Sequence, residues 1–528
     1  MTASPRSETA ALLREALARH RDGDLAAARA GYRRVLAAAP AQADALRLLG
    51  VAHLQQGRAA EAAALLRRAL AVRPEMAEAW GDLGAALRHA GLPAEAAACW
   101  REALRLRPQD AEFRRALATC PPGPPPPDPA ALFRQATENH RNQRHAEAAA
   151  QFRRLSLLQP DPSGALINAA AALLALARPE EALASLEAVP ETGHPAAWRH
   201  RAAAHSQLGD AEATLAACRS CLALDPDNAE AQFGEAGTLL LLGDYAAGWA
   251  GYEARWRLSE PPPPQAAPLW LGQQPIAGRT LLLRAEQGFG DILQFVRYAP
   301  LLRRRGARVV LAVPPDLRRL LAGLADAIIA PDETPPPHDW QTPLLSLPLA
   351  CATTLASVPA DITSIQADAN LCARWAARLG PRRRLRVGVA WSGDPNTQLG
   401  WLRRVPPQAL LPALAATGAE LHVLHKLIAP QDRAAVAGHR TYEAELTDFA
   451  ETAALLAQLD VVVSSCTSVA HLAGAMGCKT FIMLQHAADF RWLRHRADSP
   501  WYPTATLFRQ TERGEWGTVI EAVAAALC

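Results

Sequence analysis

Two hydrophobic rhythms divide the chain. Up to about residue 258, apolar residues recur at helical spacing, and the pattern itself repeats. Pro40, Pro74 and Pro108 are spaced by 34, as are Gly23, Gly57 and Gly91, and as are Gly50 and Gly84. Ala28, Ala62 and Ala96 stand in register, followed by Tyr32, Leu66 and Trp100. A helical pattern with this period predicts stacked helix–turn–helix units. Ala and Gly let the two helices of a unit approach, larger residues fill the gap to the next unit, and Pro ends the second helix because it lacks the N–H. The run PPGPPPPDP, Pro121 to Pro129, interrupts the array with a stiff, extended segment. Repeats then resume. Ala148, Phe152 and Pro160 match one unit, Trp198, Gly209 and Pro226 another, and Gly243, Tyr252 and Trp256 a divergent last one. The unit between, Pro179 to Pro190, is short and irregular. This amounts to about seven units in two blocks.

Beyond a second proline run, Pro261 to Pro264, short apolar segments alternate with helical ones. Strands are predicted at Thr280–Arg284, Arg308–Val313, Ala327–Ala330, Pro343–Leu347, Leu385–Ala390, Glu420–Leu424, Asp460–Ser464 and Thr480–Leu484. Helices are predicted through Leu321 and at Leu371–Leu379, Pro407–Ala415, Thr452–Leu459 and Ser468–Met476. Short apolar strands separated by helices imply parallel sheets covered on both faces. The fresh start at Leu385 implies two such sheets, with ligands held between their carboxyl ends. The stretch TLLLRAEQGFGDILQFVRY, Thr280 to Tyr298, opens the first sheet as strand, glycine turn and helix. It is not a dinucleotide fingerprint, because Leu293 stands where G-x-G-x-x-G needs its third glycine.

The third repeat, AEAWGDLGAALRHAGLPAEAAACWREALRLRP, resembles the tetratricopeptide repeat, with Trp80, Leu83, Gly84, Ala96, Ala103 and Pro108 in place. The second half carries GFGDILQFVRY, GVAWSGDPN, RRVPPQAL, DFAETAALLAQLDVVVSSCTSVAHLAGAMG and DFRWLRHRADSPWYPTATLFRQ. This ordered set, with the last repeat GDYAAGWAGYEARW, resembles the bacterial tetratricopeptide-repeat glycosyltransferases. These are GT-B proteins similar to the heptosyltransferase-like family and, more distantly, to the protein O-GlcNAc transferases. The expected fold class is therefore α plus α/β: an α-solenoid followed by a GT-B pair of doubly wound domains. Expected boundaries are a first repeat block at 1–120, a proline linker at 121–129, a second block at 130–258, a linker at 259–277, an acceptor-side domain at 278–372 and a nucleotide-sugar domain at 373–528. The resemblance implies transfer of a sugar from a nucleotide-sugar donor, without a metal or other cofactor, to a protein or glycan acceptor, with the repeats holding acceptor or partner.

Such a transfer needs a base for the acceptor hydroxyl, positive potential for the leaving diphosphate and a cleft that excludes water. Asp291 is the candidate base. Its position after Gly290 suits equally a first-turn carboxylate stabilising the helix, and the resemblance tips the reading to catalysis. Gln287, Gly288 and Gly290 shape the turn, and Gln294 and Arg297 lie a turn further on, facing cleft or solvent. For the donor, Thr467, Ser468, Val469 and His471 sit where the Asp460–Ser464 strand gives way to a helix, whose free N–H groups suit phosphate. Trp391, Ser392 and Gly393 form a second strand-end turn. Arg403 lies where the family tends to carry a basic residue, and Lys426 follows the Glu420–Leu424 strand; a solvated loop is the alternative for both. Relatives commonly read V-D-T-A-V-A-H where this chain reads Ser465-Cys466-Thr467-Ser468-Val469-Ala470-His471, so Cys466 replaces a carboxylate with a thiol, a weaker acceptor. A scaffold with a degenerate enzyme half is thus the rival reading.

Composition narrows the field. A net charge of +3 over 528 residues, with no basic run, argues against nucleic acid. Lys426 and Lys479 are the two lysines of the chain, so positive charge is nearly all Arg. Nine scattered cysteines, including Cys218 and Cys221 inside a helical repeat, read as packing rather than a metal or redox site. No apolar run approaches the ~20 residues that span a bilayer, and the first residues lack the apolar centre of a signal peptide. A cytoplasmic protein is expected.

Overall fold

The computed structural model describes residues 5–121, 127–159, 161–258, 267–360, 365–394 and 399–528. Most of the first proline run, the second run, Pro160 and the stretch 395–398, which begins at the end of GVAWSGDPN, lie outside the described residues. Two compact units emerge: Met1–Gln207 with Ala216–Pro226, and Leu208–Leu215 with Asp227–Cys528.

Helices come in consecutive pairs: α1 (Pro5–Arg21) with α2 (Leu25–Ala38), α3 (Ala43–Gln55) with α4 (Ala59–Val72), α5 (Ala77–His89) with α6 (Pro93–Leu106), then a single α7 (Ala111–Ala118). After the proline run follow α8 (Pro129–Arg141) with α9 (His145–Leu158), α10 (Ser163–Ala175) with α11 (Pro179–Glu187), α12 (Pro195–Gln207) with α13 (Ala211–Leu224), and α14 (Ala229–Leu242) with α15 (Tyr245–Tyr252). The periodic residues explain the pairing. A Cβ on Gly84 would stand 2.6 Å from Trp100, and one on Gly50 3.0 Å from Leu66, so this glycine position makes room for the large residue of the partner helix. Gly23, Gly57 and Gly91 end first helices with φ of 82°, 74° and 73°. Gln143 and Ala177 fill the same place at φ 60° and 54°. The turn is therefore kept where its glycine is gone, at a local conformational cost.

Within the first unit the two blocks are welded together. One apolar core takes Tyr32, Leu46 and Leu65 from the first block and Phe152, Leu166 and Leu173 from the second. Arg67 donates to the carbonyls of Ser156 at 3.0 Å and Leu157 at 2.5 Å. Glu187, on α11, accepts Arg29 at 2.6 Å, Arg33 at 3.2 Å and His53 at 2.8 Å. Burial alone would raise the Glu187 pKa, but His53, Arg33 and Arg29 outweigh it and hold the carboxyl at about 2.

The second unit adds two parallel sheets to α14 and α15. The first has strands β1 (Thr280–Arg284), β2 (Arg308–Ala312), β3 (Ala327–Ile329) and β4 (Trp340–Pro343) in the order β3-β2-β1-β4. Its helices are α16 (Phe289–Phe295), α17 (Tyr298–Arg304), α18 (Pro315–Leu321) and α19 (Leu347–Ala350). After α20 (Ala369–Leu379) come β5 (Arg386–Ala390), α21 (Pro407–Ala415), β6 (Glu420–Val423), β7 (Arg440–Thr441), α22 (Phe449–Leu456), β8 (Val461–Ser465), α23 (Ser468–Ala475), β9 (Thr480–Leu484), β10 (Ala505–Arg509) and α24 (Gly517–Ala525). This sheet runs β10-β9-β8-β5-β6-β7. Both sheets are buried on both faces. Leu281 and Leu283 join one apolar cluster and Leu282 another, while Val461 and Val463 face opposite to Val462. That is why these strands read as unbroken apolar runs. The order of each sheet reverses beside its first strand, between β1 and β4 and between β5 and β8, and ligands lodge at such points outside the carboxyl ends.

Two strands, β7 and β10, are not among those predicted, and one predicted strand is displaced. The fourth, predicted at Pro343–Leu347, is Trp340–Pro343, and the chain then coils into a 3₁₀ turn, Leu344–Ser346. The polar groups beyond Pro343 have partners outside the ladder: Leu345 N–H donates to Glu286 at 3.0 Å and Ser346 Oγ donates to Glu253 at 2.9 Å. The helical hairpin α14–α15 shares the core of the sheets. Trp249 meets Phe295 and Phe490 edge-on, each at 5.7 Å, and Trp501 Nε1 donates to the Tyr245 hydroxyl at 3.0 Å.

The Glu187 cluster gives the first unit a defined acid response. A carboxyl depressed from its ordinary value to about 2 contributes stability that is present above pH 5 and lost as pH falls toward 2, on the order of 3 kcal/mol. Glu187→Gln is expected to unfold earlier in denaturant than the parent at pH 7, with the gap closing as pH falls from 5 toward 3. A gap independent of pH would contradict this assignment.

Candidate functional site

The turn after β1 is built by its neighbours rather than by local preference alone. Arg255, beyond α15, grips Glu286 through Nε at 3.0 Å and Nη2 at 2.9 Å and also donates to Ser346 at 2.7 Å. Gln287 follows in the left-handed region at φ 60°, a strained position for a side chain with a Cβ. Gly288 N–H donates to Asp291 Oδ2 at 3.0 Å, so the carboxylate does brace the helix start. The other oxygen, Oδ1, is ion-paired with Arg491.

Gly290 is required for approach, not for its backbone angle. A Cβ there would lie 2.8 Å from His471 Cδ2 and 3.4 Å from Nε2. The start of α16 therefore rests on the start of α23, which brings the turns at the ends of β1 and β8 face to face. His471 is almost fully buried. Its Nδ1 lies 2.8 Å from the Tyr502 hydroxyl, and its ring stacks on Trp492 at 5.3 Å. Burial, reinforced by the Arg491 charge, lowers its pKa to about 3, so the imidazole is neutral. A neutral ring that keeps its proton on Nε2 presents a donor toward the α16 turn.

The other expected residues distribute unevenly. Thr467 is buried, its hydroxyl 3.0 Å from that of Ser464, and Ser468 and Val469 are half-buried in the first turn of α23. Cys466 accepts the Trp492 indole N–H at 3.1 Å, and burial raises its thiol pKa. Arg403 stands close enough for its charge to act on both Cys466 and His471. Trp391 reaches the β5 turn by its backbone only. Its indole is buried and donates to Asp432 at 2.9 Å, while its N–H donates to His425 at 3.1 Å. Ser392 is half-buried and Gly393 exposed at the turn. Lys426, in the loop beyond β6, is turned outward, paired with Asp316 at 3.3 Å and the Thr447 carbonyl at 3.0 Å. Gln294 and Arg297 face neither cleft mouth nor solvent. Arg297 donates to the carbonyls of Trp501 at 2.7 Å and Pro359 at 3.1 Å. The Gln294 amide is wholly buried and meets no hydrogen-bond partner among the described residues.

Several residues escaped the sequence reading: Arg491, Asp489, Trp492 and Tyr502 on the segment after β9, and Arg255 at the end of the last repeat, where Tyr252 was read only as a repeat position. Their signal was the clustering of Arg and aromatics in DFRWLRHRADSPWYP and GYEARW, which spacing alone could not place against Asp291.

Known proteins resemble parts of the chain. Tetratricopeptide-repeat models match residues 13–71 and 53–120. Protein FlbA of Caulobacter vibrioides is 28% identical over 377 residues, covering 63% of this chain, and the chain covers 61% of that protein's length. A glycosyl transferase family 9 structure from Veillonella parvula aligns over 45% of this chain and 87% of its own at 8% identity, with a TM-score of 0.34. A tetratricopeptide repeat protein from Parabacteroides merdae aligns over 48% and 94% at 14% identity, with a TM-score of 0.23. Scores of this size assign no activity. Among the described residues no helix is long and apolar enough to cross a membrane.

Gly290→Ala is expected to destabilise the protein by about 1–3 kcal/mol, because the new Cβ overlaps a fully packed ring. Gly288→Ala is the control: its Cβ would meet only Asp291 Oδ2, at 3.6 Å. Thermal unfolding of the two variants checks this, and equal midpoints would contradict the close contact.

Proposed function

We propose that the sheet-bearing unit is a glycosyltransferase that uses a nucleotide-sugar donor and no metal, and that the repeats bind the acceptor protein, peptide or glycan or a partner. The observation that carries the reading is the meeting of two strand-end turns, each at the reversal point of a parallel sheet. One bears a carboxylate, the other a helix start with a neutral imidazole and nearby arginines. In this reading Asp291 takes the acceptor proton. The turn Ser465–His471, with Ser392 and Gly393 opposite and Arg403 close by, receives the diphosphate. The acceptor oxygen attacks the anomeric carbon in a single displacement, which inverts its configuration, and the arginines offset the charge of the leaving group.

A second reading is a scaffold whose cleft binds nucleotide without turnover. Cys466 favours it, because an uncharged thiol accepts from Trp492 more weakly than a carboxylate would.

Calorimetry of the full chain with UDP, GDP, ADP and dTDP should show binding of at least one; silence from all four would sink the donor site. Turnover of the matching labelled nucleotide sugar should fall at least about 100-fold in Asp291→Asn. Binding with no transfer in the parent protein would favour the scaffold, and transfer unchanged in the variant would remove Asp291 from the base role.

A further inference from the structure

Each carboxylate oxygen of Asp291 has a partner. Gly288 N–H holds Oδ2 at 3.0 Å, and Nη2 of Arg491 holds Oδ1. Arg491 is itself shared. Nη1 binds Asp489 Oδ1 at 2.7 Å, its guanidinium lies 4.4 Å above the Phe490 ring, and its buried Nε meets no partner among the described residues. Burial alone would lower the Arg491 pKa, but Asp489 and Asp291 outweigh it and keep the guanidinium charged.

The two carboxylates on this cation are not equivalent. Asp489 lies two residues away on the same 3₁₀ turn, which it also caps by accepting Arg491 N–H at 3.0 Å. Asp291 arrives from the other sheet, on a turn strained at Gln287, 200 positions away in sequence. Leu493 and His495, at φ 53° and 52°, hold the Arg491 segment in a further strained path. The local pair is held by the turn that both residues share and by a second bond to the backbone, whereas the long-range pair depends on what else competes for Nη2. The Arg403 charge acts on His471, and the Tyr252 hydroxyl lies within electrostatic reach of Arg491, Asp489 and Asp291.

We propose that Arg491 is a latch on the base, opened by the donor: an incoming nucleoside diphosphate takes over Nη2 and frees Asp291 Oδ1. This rests on the glycosyltransferase reading. A diphosphate presents more charge and more acceptor oxygens than one carboxylate, and the planar guanidinium suits it. With Oδ1 free, the acceptor hydroxyl gives its proton to Asp291. Its oxygen bonds to the anomeric carbon as the bond from that carbon to the diphosphate oxygen breaks. The diphosphate leaves with the electron pair, its charge met by Arg491. Asp489 is the positioning residue that keeps the guanidinium in place in both states. Without donor the base stays occupied, so acceptor is activated only when a sugar is in place.

Linkage gives opposite signs for the two partners. In calorimetry of the full chain with the nucleoside diphosphate that binds it best, Asp291→Asn should tighten binding about tenfold, because the competitor for Arg491 is gone. Arg491→Gln should weaken it at least tenfold, and Asp291→Asn added to Arg491→Gln should change nothing further. Arg491→Lys keeps the charge should the Gln variant not fold, and there the tightening by Asp291→Asn should shrink. Equal tightening by Asp291→Asn in both backgrounds would mean simple charge removal and overturn the latch. Unchanged binding in Arg491→Gln would overturn it while leaving the diphosphate site intact. A parent protein that neither binds any of the four diphosphates nor transfers sugar would remove the glycosyltransferase reading itself.

Discussion

The second unit depends on one close contact, the seat of α16 on α23 at Gly290 and His471. Helix backbones come this near only where a side chain is missing, and a single Cβ would close the gap to 2.8 Å. The contact fixes more than packing. It sets the carboxyl end of the first sheet against that of the second and places a carboxylate from one beside an imidazole and a guanidinium from the other. Burial of the ring against Trp492 and Tyr502 then decides its charge: at about 3 its pKa leaves it neutral at any physiological pH. The site is electrostatically asymmetric as a result, with arginine charge fixed and histidine charge absent.

The last helical pair belongs to this machinery. Trp249 and Tyr245 sit in the same apolar cluster as Phe295 and Trp501, and Arg255 holds Glu286 one residue before the strained Gln287. A charged pair buried to this degree is costly to break, on the order of 3–5 kcal/mol when one partner is removed. Such a grip suits a turn that local preferences would relax. In the first unit the same economy of charge appears differently: Glu187 and Glu61 meet cations of the opposite block, so two repeat blocks separated by a proline run share a single core.

Much of this was legible in the chain. The period of 34 located the helix pairs because steric need repeats: Gly50 and Gly84 face Leu66 and Trp100 in turn. It faded at Gln143 and Ala177, where the left-handed turn persists without glycine. Strands buried on both faces announced themselves as apolar runs, whereas β7 spans two residues and β10 (ATLFR) carries polar residues at its edge. The fourth strand was misplaced because the partners of Leu345 and Ser346 lie at Glu286 and Glu253, remote in sequence. The candidate site was half visible. Asp291 and the Ser465–His471 turn come from strand ends, which sequence locates. Arg491 reaches Asp291 through tertiary packing, which sequence spacing does not encode, and the same packing turned Lys426 outward and buried the Trp391 indole.

The central claim is that the β1 and β8 turns form one ligand site. Hydrogen–deuterium exchange of the full chain, with and without a saturating nucleoside diphosphate, tests it directly. The account predicts slowed exchange in residues 285–291 and 465–471 together. Protection of one turn without the other, or of neither while the diphosphate is bound, would contradict it.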